Sequence, residues 1–159
     1  MSLMLDEIRE TPGRVAAMLE GDHDAYASLQ AALDARPPVF AATIARGSSD
    51  HAASYGAWLL GITRGLATAS LPPSLVSRYA VQPRLQHALV LGLSQSGASP
   101  DIVKSLEAAA RCGAITTAIV NQADSPLAAA AAHVLPQRAG EERSVAATKS
   151  FMLTACLLY

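Results

Sequence analysis

Short apolar runs alternate with amphipathic segments along most of this chain. The runs cover residues 39–45, 66–70, 88–93 and 115–120, and each is bounded by Gly, Pro, Ser or Asn. A weaker run follows at residues 133–135. Short apolar segments with such boundaries are typical of strands buried on both faces of a parallel sheet. The pattern therefore predicts five strands in one mostly parallel sheet.

Helical periodicity fills much of the remaining chain. Residues 5–19 and 26–33 open the chain as two helices, with a turn at residues 21–24 between them. Further helices are predicted at residues 50–60, 101–112, 125–132 and 144–158. Parallel strands joined by helices require right-handed crossovers that cover both faces of the sheet. We therefore expect an α/β fold, a three-layer α/β/α sandwich preceded by N-terminal helices.

A hydroxyl-rich segment, SQSGAS at residues 94–99, follows the third run and precedes Pro100. Such a loop at a helix N-terminus offers an anion hydroxyl groups, unpaired backbone N–H groups and the positive end of the helix dipole. Its glycine spacing matches a nucleotide P-loop, but Ala98 replaces the lysine that a triphosphate requires, so a phosphomonoester fits better. The alternative is an ordinary polar loop in which Ser99 caps the helix and Pro100 begins it.

Two further polar segments follow strands. Gly47-Ser48-Ser49 repeats the order of strand, glycine, paired hydroxyls and helix. Since ligands bind at the carboxyl ends of strands in such sheets, this loop and residues 94–99 should converge on one crevice. The third segment, residues 139–151, leads into the last helix. It is alternatively a solvated loop in which Ser144 caps the helix and Glu142 and Lys149 are surface charges.

Composition narrows the class of protein. The 159 residues are 51% hydrophobic and 16% charged, with a net charge of −1, which suits one compact core. The absence of a basic stripe and the 4% aromatic content argue against nucleic-acid binding. No apolar run is long enough to cross a membrane, and residues 1–10 are too acidic for a signal peptide. Cys112 and Cys156 suit reduced thiols in a cytoplasmic protein, and no metal or cofactor is predicted.

Three motifs together resemble a known family. Gly47-Ser48-Ser49, the SQSG-x-S pattern of residues 94–99 and the VAATKSF of residues 145–151 resemble the sugar isomerase (SIS) domain in order and spacing. The likeness is strongest to the first SIS domain of glutamine–fructose-6-phosphate aminotransferases and to glucosamine-6-phosphate deaminases built on that half. The resemblance implies a helical segment at residues 1–36 and an SIS domain at residues 37–159, the first of two. A second SIS domain and a homodimer are the partners it implies.

The resemblance also assigns roles to residues. It places a sugar phosphate on Ser49, Ser94, Gln95, Ser96 and Ser99, with Ser48 and the backbone of Val145 contacting sugar hydroxyls. Ser48 replaces a common threonine and keeps its hydroxyl. Ala98 replaces a common glutamate and Ala147 a common serine, which leaves the sugar specificity open.

The reaction implied is an aldose–ketose isomerisation, with or without loss or gain of ammonia. In the family the proton-transferring groups come from a second SIS domain and a C-terminal lysine, so we expect this segment to be the phosphate-binding half of a longer enzyme. Within the segment, Glu142 and His51 are the candidates for catalysis, although His51 is equally a packing residue. The alternative is an SIS module that binds or senses a sugar phosphate without catalysis.

Overall fold

The computed structural model describes residues 2–21 and 23–159, and Met1 and Asp22, within the predicted turn, lie outside them. The helices described are α1 Leu3–Glu20, α2 His23–Ala35, α3 Ser48–Arg64, α4 Ser74–Ser77, α5 Pro100–Arg111, α6 Pro126–Ala129 and α7 Lys149–Leu158. The strands described are β1 Phe40–Ile44, β2 Thr68–Ser70, β3 Ala88–Ser94, β4 Ile115–Val120 and β5 His133–Pro136. The predicted fold is confirmed, because each predicted strand is present at its place in the chain.

The five strands form one sheet in the order β2-β1-β3-β4-β5. Every pairing among the described strands is parallel, with Ala42 opposite Val90 and Leu93 opposite Ile119 in the central pairs. The central strands β3 and β4 are buried along their whole length. This burial explains their continuous apolar sequences, since a strand covered on both faces has no solvent side to make polar.

Helices cover the two faces of the sheet with separate apolar cores. On one face, Leu89, Leu91 and Leu93 of β3 pack with Met18 of α1 and Leu153 of α7. On the other face, Val90 of β3 joins a cluster from α5 and α6, including Ile102, Leu106 and Leu127. The alternation along β3 follows from the two-residue period of a strand. The molecule is therefore the expected three-layer sandwich.

Some element bounds differ from the predictions. The last helix begins at Lys149 rather than at residue 144, because the carboxylate of Glu142 binds the backbone N–H groups of its first turn. The helix predicted at residues 125–132 is the single turn α6. The short helix α4 was not predicted, since four residues carry no measurable periodicity.

The N-terminal helices pack directly on the sandwich. Helix α1 lies against α7, and α2 lies against β4 and β5. The division into segments 1–36 and 37–159 stays a prediction. None of the helices in residues 2–21 and 23–159 combines the length and the apolar character that crossing a bilayer requires.

Candidate functional site

The strand order reverses between β1 and β3, which is where the predicted crevice would lie. From β1 the chain moves outward to β2, and from β3 it moves the other way to β4 and β5. Helices α3 and α5 consequently pack on opposite faces, as Ala53 of α3 and Leu106 of α5 show by joining different cores. At such a reversal the loops that follow the two strands separate and leave room for a ligand. Both serine-bearing loops predicted from the sequence lie there.

Residues 94–99, which we call the serine loop, have a backbone fixed from within and from outside. The hydroxyl oxygen of Ser94 accepts the N–H of Gly97 at 3.1 Å, and that of Ser96 accepts the N–H of Ala98 at 3.3 Å. From outside, the carbonyl of Gln95 accepts the N–H of Asn121 at 3.2 Å. The loop is therefore held in one shape before any ligand arrives.

The turn inside the serine loop requires glycine. Gly97 has a φ of +63°, and a Cβ atom at this position would lie 2.1 Å from Oγ of Ser125. The carbonyl of Gly97 also accepts the N–H of Leu127 at 3.0 Å, which ties the turn to α6. Both the left-handed backbone and the close approach to Ser125 exclude a side chain at this residue.

The N-termini of α3 and α5 lack side-chain caps. Ser99 occupies the N-cap position of α5, yet its hydroxyl makes no capping hydrogen bond. Gly47 occupies the N-cap position of α3 and has no side chain to offer. The first-turn N–H groups of a helix without a cap are available to an anion. Ser99 is therefore the N-cap residue and Pro100 begins the helix, as the alternative predicted, but the hydroxyl of Ser99 does not cap the helix.

An ion pair joins the two loops across the crevice. The guanidinium of Arg46, directly after β1, lies 3.1 Å from Oδ2 of Asp101 in the first turn of α5. Arg46 is largely exposed, so the pair contributes little to the free energy of folding. It shows that the loops after β1 and β3 approach each other as the sequence predicted. Arg46 itself was missed, because a single arginine in a loop gives no distinguishing pattern.

Residues 137–148, which we call the β5–α7 loop, contain most of the third polar segment and leave the same edge of the sheet. Asn121, the residue after β4, anchors its first part: Oδ1 accepts the N–H of Ala139 at 2.8 Å, and Nδ2 donates to the carbonyl of Gly140 at 2.7 Å. The backbone N–H of the same Asn121 binds the serine loop. One residue therefore connects two of the three predicted segments. Its position directly after a strand was the signal that could have identified it.

Glu142 caps the last helix. Its Oε1 accepts the N–H groups of Thr148 and Lys149, each at 2.6 Å, and its Oε2 accepts the hydroxyl of Ser150 at 2.5 Å. The interpretation of Ser144 as the cap is wrong. Both carboxylate oxygens are thus engaged in holding the helix N-terminus, which is a structural task. A catalytic role for Glu142 stays a prediction.

Lys149 is buried, with 1% of its surface exposed. Its Nζ lies 2.7 Å from Oε2 of Glu10 on α1 and 2.8 Å from the carbonyl oxygen of Glu141. Its interpretation as a surface charge is therefore wrong. A buried ammonium needs such partners, since desolvation without them is costly. Lys149 thereby fastens α7 to the N-terminal helix.

Glu7 of α1 binds the middle of the β5–α7 loop. It is 4% exposed, and its Oε1 accepts the N–H of Arg143 at 2.7 Å. The backbone N–H of Ser144 lies 3.3 Å from each carboxylate oxygen, and the hydroxyl of Ser144 donates to Oε2. The N–H of Arg143 and the hydroxyl of Ser144 hold the pKa of Glu7 below its ordinary value, because they stabilise the charged form.

The predicted site residues therefore fall in three segments. The serine loop contains Ser94, Gln95, Ser96 and Ser99. Helix α3, which follows the neighbouring strand β1, begins with Ser48 and Ser49. Val145 lies in the β5–α7 loop and is 97% exposed. His51 is exposed in the first turns of α3, and its role stays a prediction.

Potential metal ligands are dispersed in the part of the chain that the structure describes, and both cysteines are free. Within residues 2–21 and 23–159, no three His, Cys, Asp or Glu side chains lie together in a way that could hold a metal ion. Cys112 and Cys156 are free and half-buried, and the thiol of Cys112 lies 3.0 Å from the carbonyl oxygen of Pro83.

Comparison with known proteins agrees with this arrangement. The family model of the SIS domain matches residues 41–159. Glutamine–fructose-6-phosphate aminotransferase from Gloeobacter violaceus is 34% identical over 98% of this chain and 26% of its own length. The corresponding enzyme from Aquifex aeolicus is 33% identical over 98% of this chain and 26% of its own. The chain thus spans about a quarter of the length of these relatives.

Solved structures show the same fold. A "putative phosphosugar isomerase" from Silicibacter pomeroyi superposes with a TM-score of 0.92 at 44% identity, over 99% of this chain and 48% of its own. The C-terminal domain of glucosamine-fructose-6-phosphate aminotransferase from Francisella tularensis has a TM-score of 0.83 at 22% identity, over 99% of this chain and 46% of its own. The second likeness concerns the fold alone.

Replacing Gly97 with alanine should distort the serine loop, since the new methyl group would overlap Oγ of Ser125. We expect the free energy of unfolding to fall by about 1–3 kcal/mol in urea denaturation. Gly61→Ala is the control, because nothing lies within 4 Å of its Cβ position in α3. That variant should be at least as stable as the wild type. Equal stability of the Gly97→Ala protein would contradict the described loop.

Acidification should release the β5–α7 loop from Glu7. Because the pKa of Glu7 is lowered in the folded protein, its hydrogen bonds persist above the ordinary glutamic acid value of about 4.3 and are lost as the pH falls through the lower folded value. The amide chemical shifts of Arg143 and Ser144 should therefore change with a midpoint below pH 4.3. A Glu7→Gln variant should lack this step. A midpoint above pH 4.3 would contradict the hydrogen bonding described.

Proposed function

This chain belongs to the SIS domain family, and on that premise we propose that it is the sugar-phosphate-binding half of an aminosugar-phosphate isomerase or deaminase. The observation that carries the proposal is the pair of serine-bearing loops at the reversal of the sheet, each leading into a helix without a side-chain cap. The names of the aminotransferase and phosphosugar isomerase relatives support the same substrate class.

The phosphate is proposed to bind the serine loop and Ser49. A phosphomonoester dianion accepts several hydrogen bonds, and the site offers hydroxyls, first-turn N–H groups and two helix dipoles. Among the described residues of the loops after β1 and β3, Arg46 is the only cation, and it is paired with Asp101. One dianion matches this supply better than a triphosphate, because a triphosphate would need more positive charge.

The sugar is proposed to lie between Ser48 and the backbone of Val145. Val145 is almost fully exposed and follows two residues that Glu7 holds in place. The peptide groups of Val145 are therefore exposed to solvent, where a ligand can reach them. Ala98 and Ala147 leave more space than the glutamate and serine common in the family.

Isomerisation requires a base that removes a proton from one carbon of the open-chain sugar and returns it to the next. The carboxylate of Glu142 is engaged by the N-terminus of α7. His51 is exposed on α3, and within residues 2–21 and 23–159 no hydrogen bond orients its ring. We propose that the base lies in a second SIS domain of the whole enzyme. The second candidate function, binding or sensing without catalysis, is favoured by the same engagement of Glu142.

A partner is proposed to cover the exposed apolar side chains around α3 and α7. Trp58, Met152 and Tyr159 are 62%, 48% and 93% exposed. A cavity of about 410 Å³ between α2, α3 and α7 is lined by leucines, including Leu33, Leu60 and Leu157. Exposed apolar patches of this kind mark association surfaces. A second SIS domain and a second copy of the chain are the partners proposed, in a cytoplasmic protein whose thiols stay reduced.

Phosphorylated hexoses should bind this chain, whereas free hexoses should not. Calorimetry with glucosamine 6-phosphate, fructose 6-phosphate and free glucosamine measures the difference. Ser96→Ala should weaken binding roughly tenfold, and Ser96→Asp should nearly abolish it by repulsion between like charges. Ser77→Ala, on the exposed helix α4, should leave the affinity unchanged. Equal affinity for glucosamine and its phosphate would remove phosphate recognition from the function.

These residues alone should show very low catalytic activity. Positioned acid–base catalysis contributes about 10²–10⁴-fold, and the described contacts supply binding rather than proton transfer. The chain and a complete glutamine–fructose-6-phosphate aminotransferase are assayed together for isomerisation and for release of ammonia from glucosamine 6-phosphate. Comparable turnover that falls in Glu142→Gln or His51→Ala would place the base within this chain.

The chain should associate in solution through the surface around Trp58. Light scattering should give at least twice the 16.5 kDa of one chain. Trp58→Lys should reduce the measured mass, because a charge in an apolar contact costs desolvation. Tyr79→Lys is the control, because Tyr79 is 68% exposed and lies outside this surface. A monomeric wild-type chain would argue against the homodimer.

A further inference from the structure

We propose that Glu7 is a positioning residue that sets how the backbone of Val145 meets the sugar, an inference that rests on the proposed function. The N-terminal helix thereby becomes part of the ligand site. Nothing in the motifs of the site points to this helix, whose residues lie about 140 positions away in the chain. The assignment comes from the contacts of one buried carboxylate.

Within the described residues, the hydrogen bonds of the Glu7 carboxylate are all with the two residues before Val145. Oε1 accepts the N–H of Arg143 at 2.7 Å, and the N–H and hydroxyl of Ser144 complete the set. The hydroxyl oxygen of Ser144 also lies 3.2 Å from the carbonyl oxygen of Ala146. The single proton of this hydroxyl is donated to Glu7, so Glu7 holds the backbone immediately before Val145. Val145 itself stays 97% exposed.

The burial of Glu7 makes this contact specific. A carboxylate with 4% exposure loses most of its hydration, so its charge must be satisfied by donors inside the protein. Those donors are two backbone N–H groups and one hydroxyl, which exist in the required geometry only when the loop has this conformation. Movement of residues 143–144 away from α1 would leave the charge without compensation.

The other anchors of the β5–α7 loop hold residues 139–142 and the start of α7. Asn121 binds Ala139 and Gly140, and Glu142 binds the first turn of α7. The backbone N–H groups of residues 143 and 144 instead donate to the carboxylate of Glu7. Loss of Glu7 should therefore loosen the segment around Val145 while the serine loop keeps its own hydrogen bonds.

This separation defines a test with two ligands. A hexose 6-phosphate uses both the serine loop and the backbone of Val145, whereas inorganic phosphate uses the serine loop alone. Glu7→Gln keeps the size of the side chain and weakens its acceptors. Glu20→Gln is the matched control, because it removes the same charge from an exposed residue of the same helix. Calorimetry with fructose 6-phosphate and inorganic phosphate gives the two affinities.

We expect Glu7→Gln to lose roughly tenfold in affinity for fructose 6-phosphate and less than twofold for inorganic phosphate, with Glu20→Gln unchanged for both. Ser144→Ala, which removes only the hydroxyl donor, should show a smaller loss in the same direction if Glu7→Gln folds poorly. Equal losses for the two ligands, or no loss for either, overturn the positioning role.

Hydrogen exchange separates this inference from the proposed function. The amides of Arg143 and Ser144 should be protected in the wild type and in Glu20→Gln, and exposed in Glu7→Gln, without any ligand. If the wild type binds no sugar phosphate, the proposed function is wrong and the effect on sugar binding is overturned with it. Protection that is unchanged in Glu7→Gln overturns the anchoring of the loop itself.

Discussion

The reversal of strand order between β1 and β3 is the constraint on which the site depends. Right-handed crossovers send α3 to one face of the sheet and α5 to the other, so the N-termini of these two helices face a shared crevice. No single residue creates this arrangement. Strand order creates it, and the serines then need only to occupy the first residues after each strand.

Two different solutions hold the loops around this crevice. The serine loop is short and is fixed by its own hydroxyls and by Gly97. The β5–α7 loop is longer and depends on three carboxylates. Glu142 lies within the loop, Glu7 binds it from α1, and Glu10 of α1 pairs with the buried Lys149. Buried charges of this kind are costly when a partner is lost, so they favour one loop conformation over its alternatives.

The sequence predicted the features that depend on near neighbours in the chain. The strands, the serine loop and the approach of the loops after β1 and β3 follow from short patterns and from one general property of parallel sheets. Lys149 was interpreted wrongly, because its partner Glu10 is 139 residues away and the local pattern looks like a solvated loop. Glu7 was missed for the same reason. Asn121 could have been found, since it follows β4 as directly as Gln95 follows β3.

The participation of α1 has a consequence for the choice of a minimal domain. The SIS family model begins at residue 41, so a truncation at that boundary would keep every motif residue. It would also remove Glu7, which holds the β5–α7 loop, and Glu10, which pairs with Lys149. The buried ammonium of Lys149 would then lack its ion pair. The folded unit that holds the β5–α7 loop is therefore longer than the unit that sequence similarity outlines, since contacts from the first twenty residues complete it.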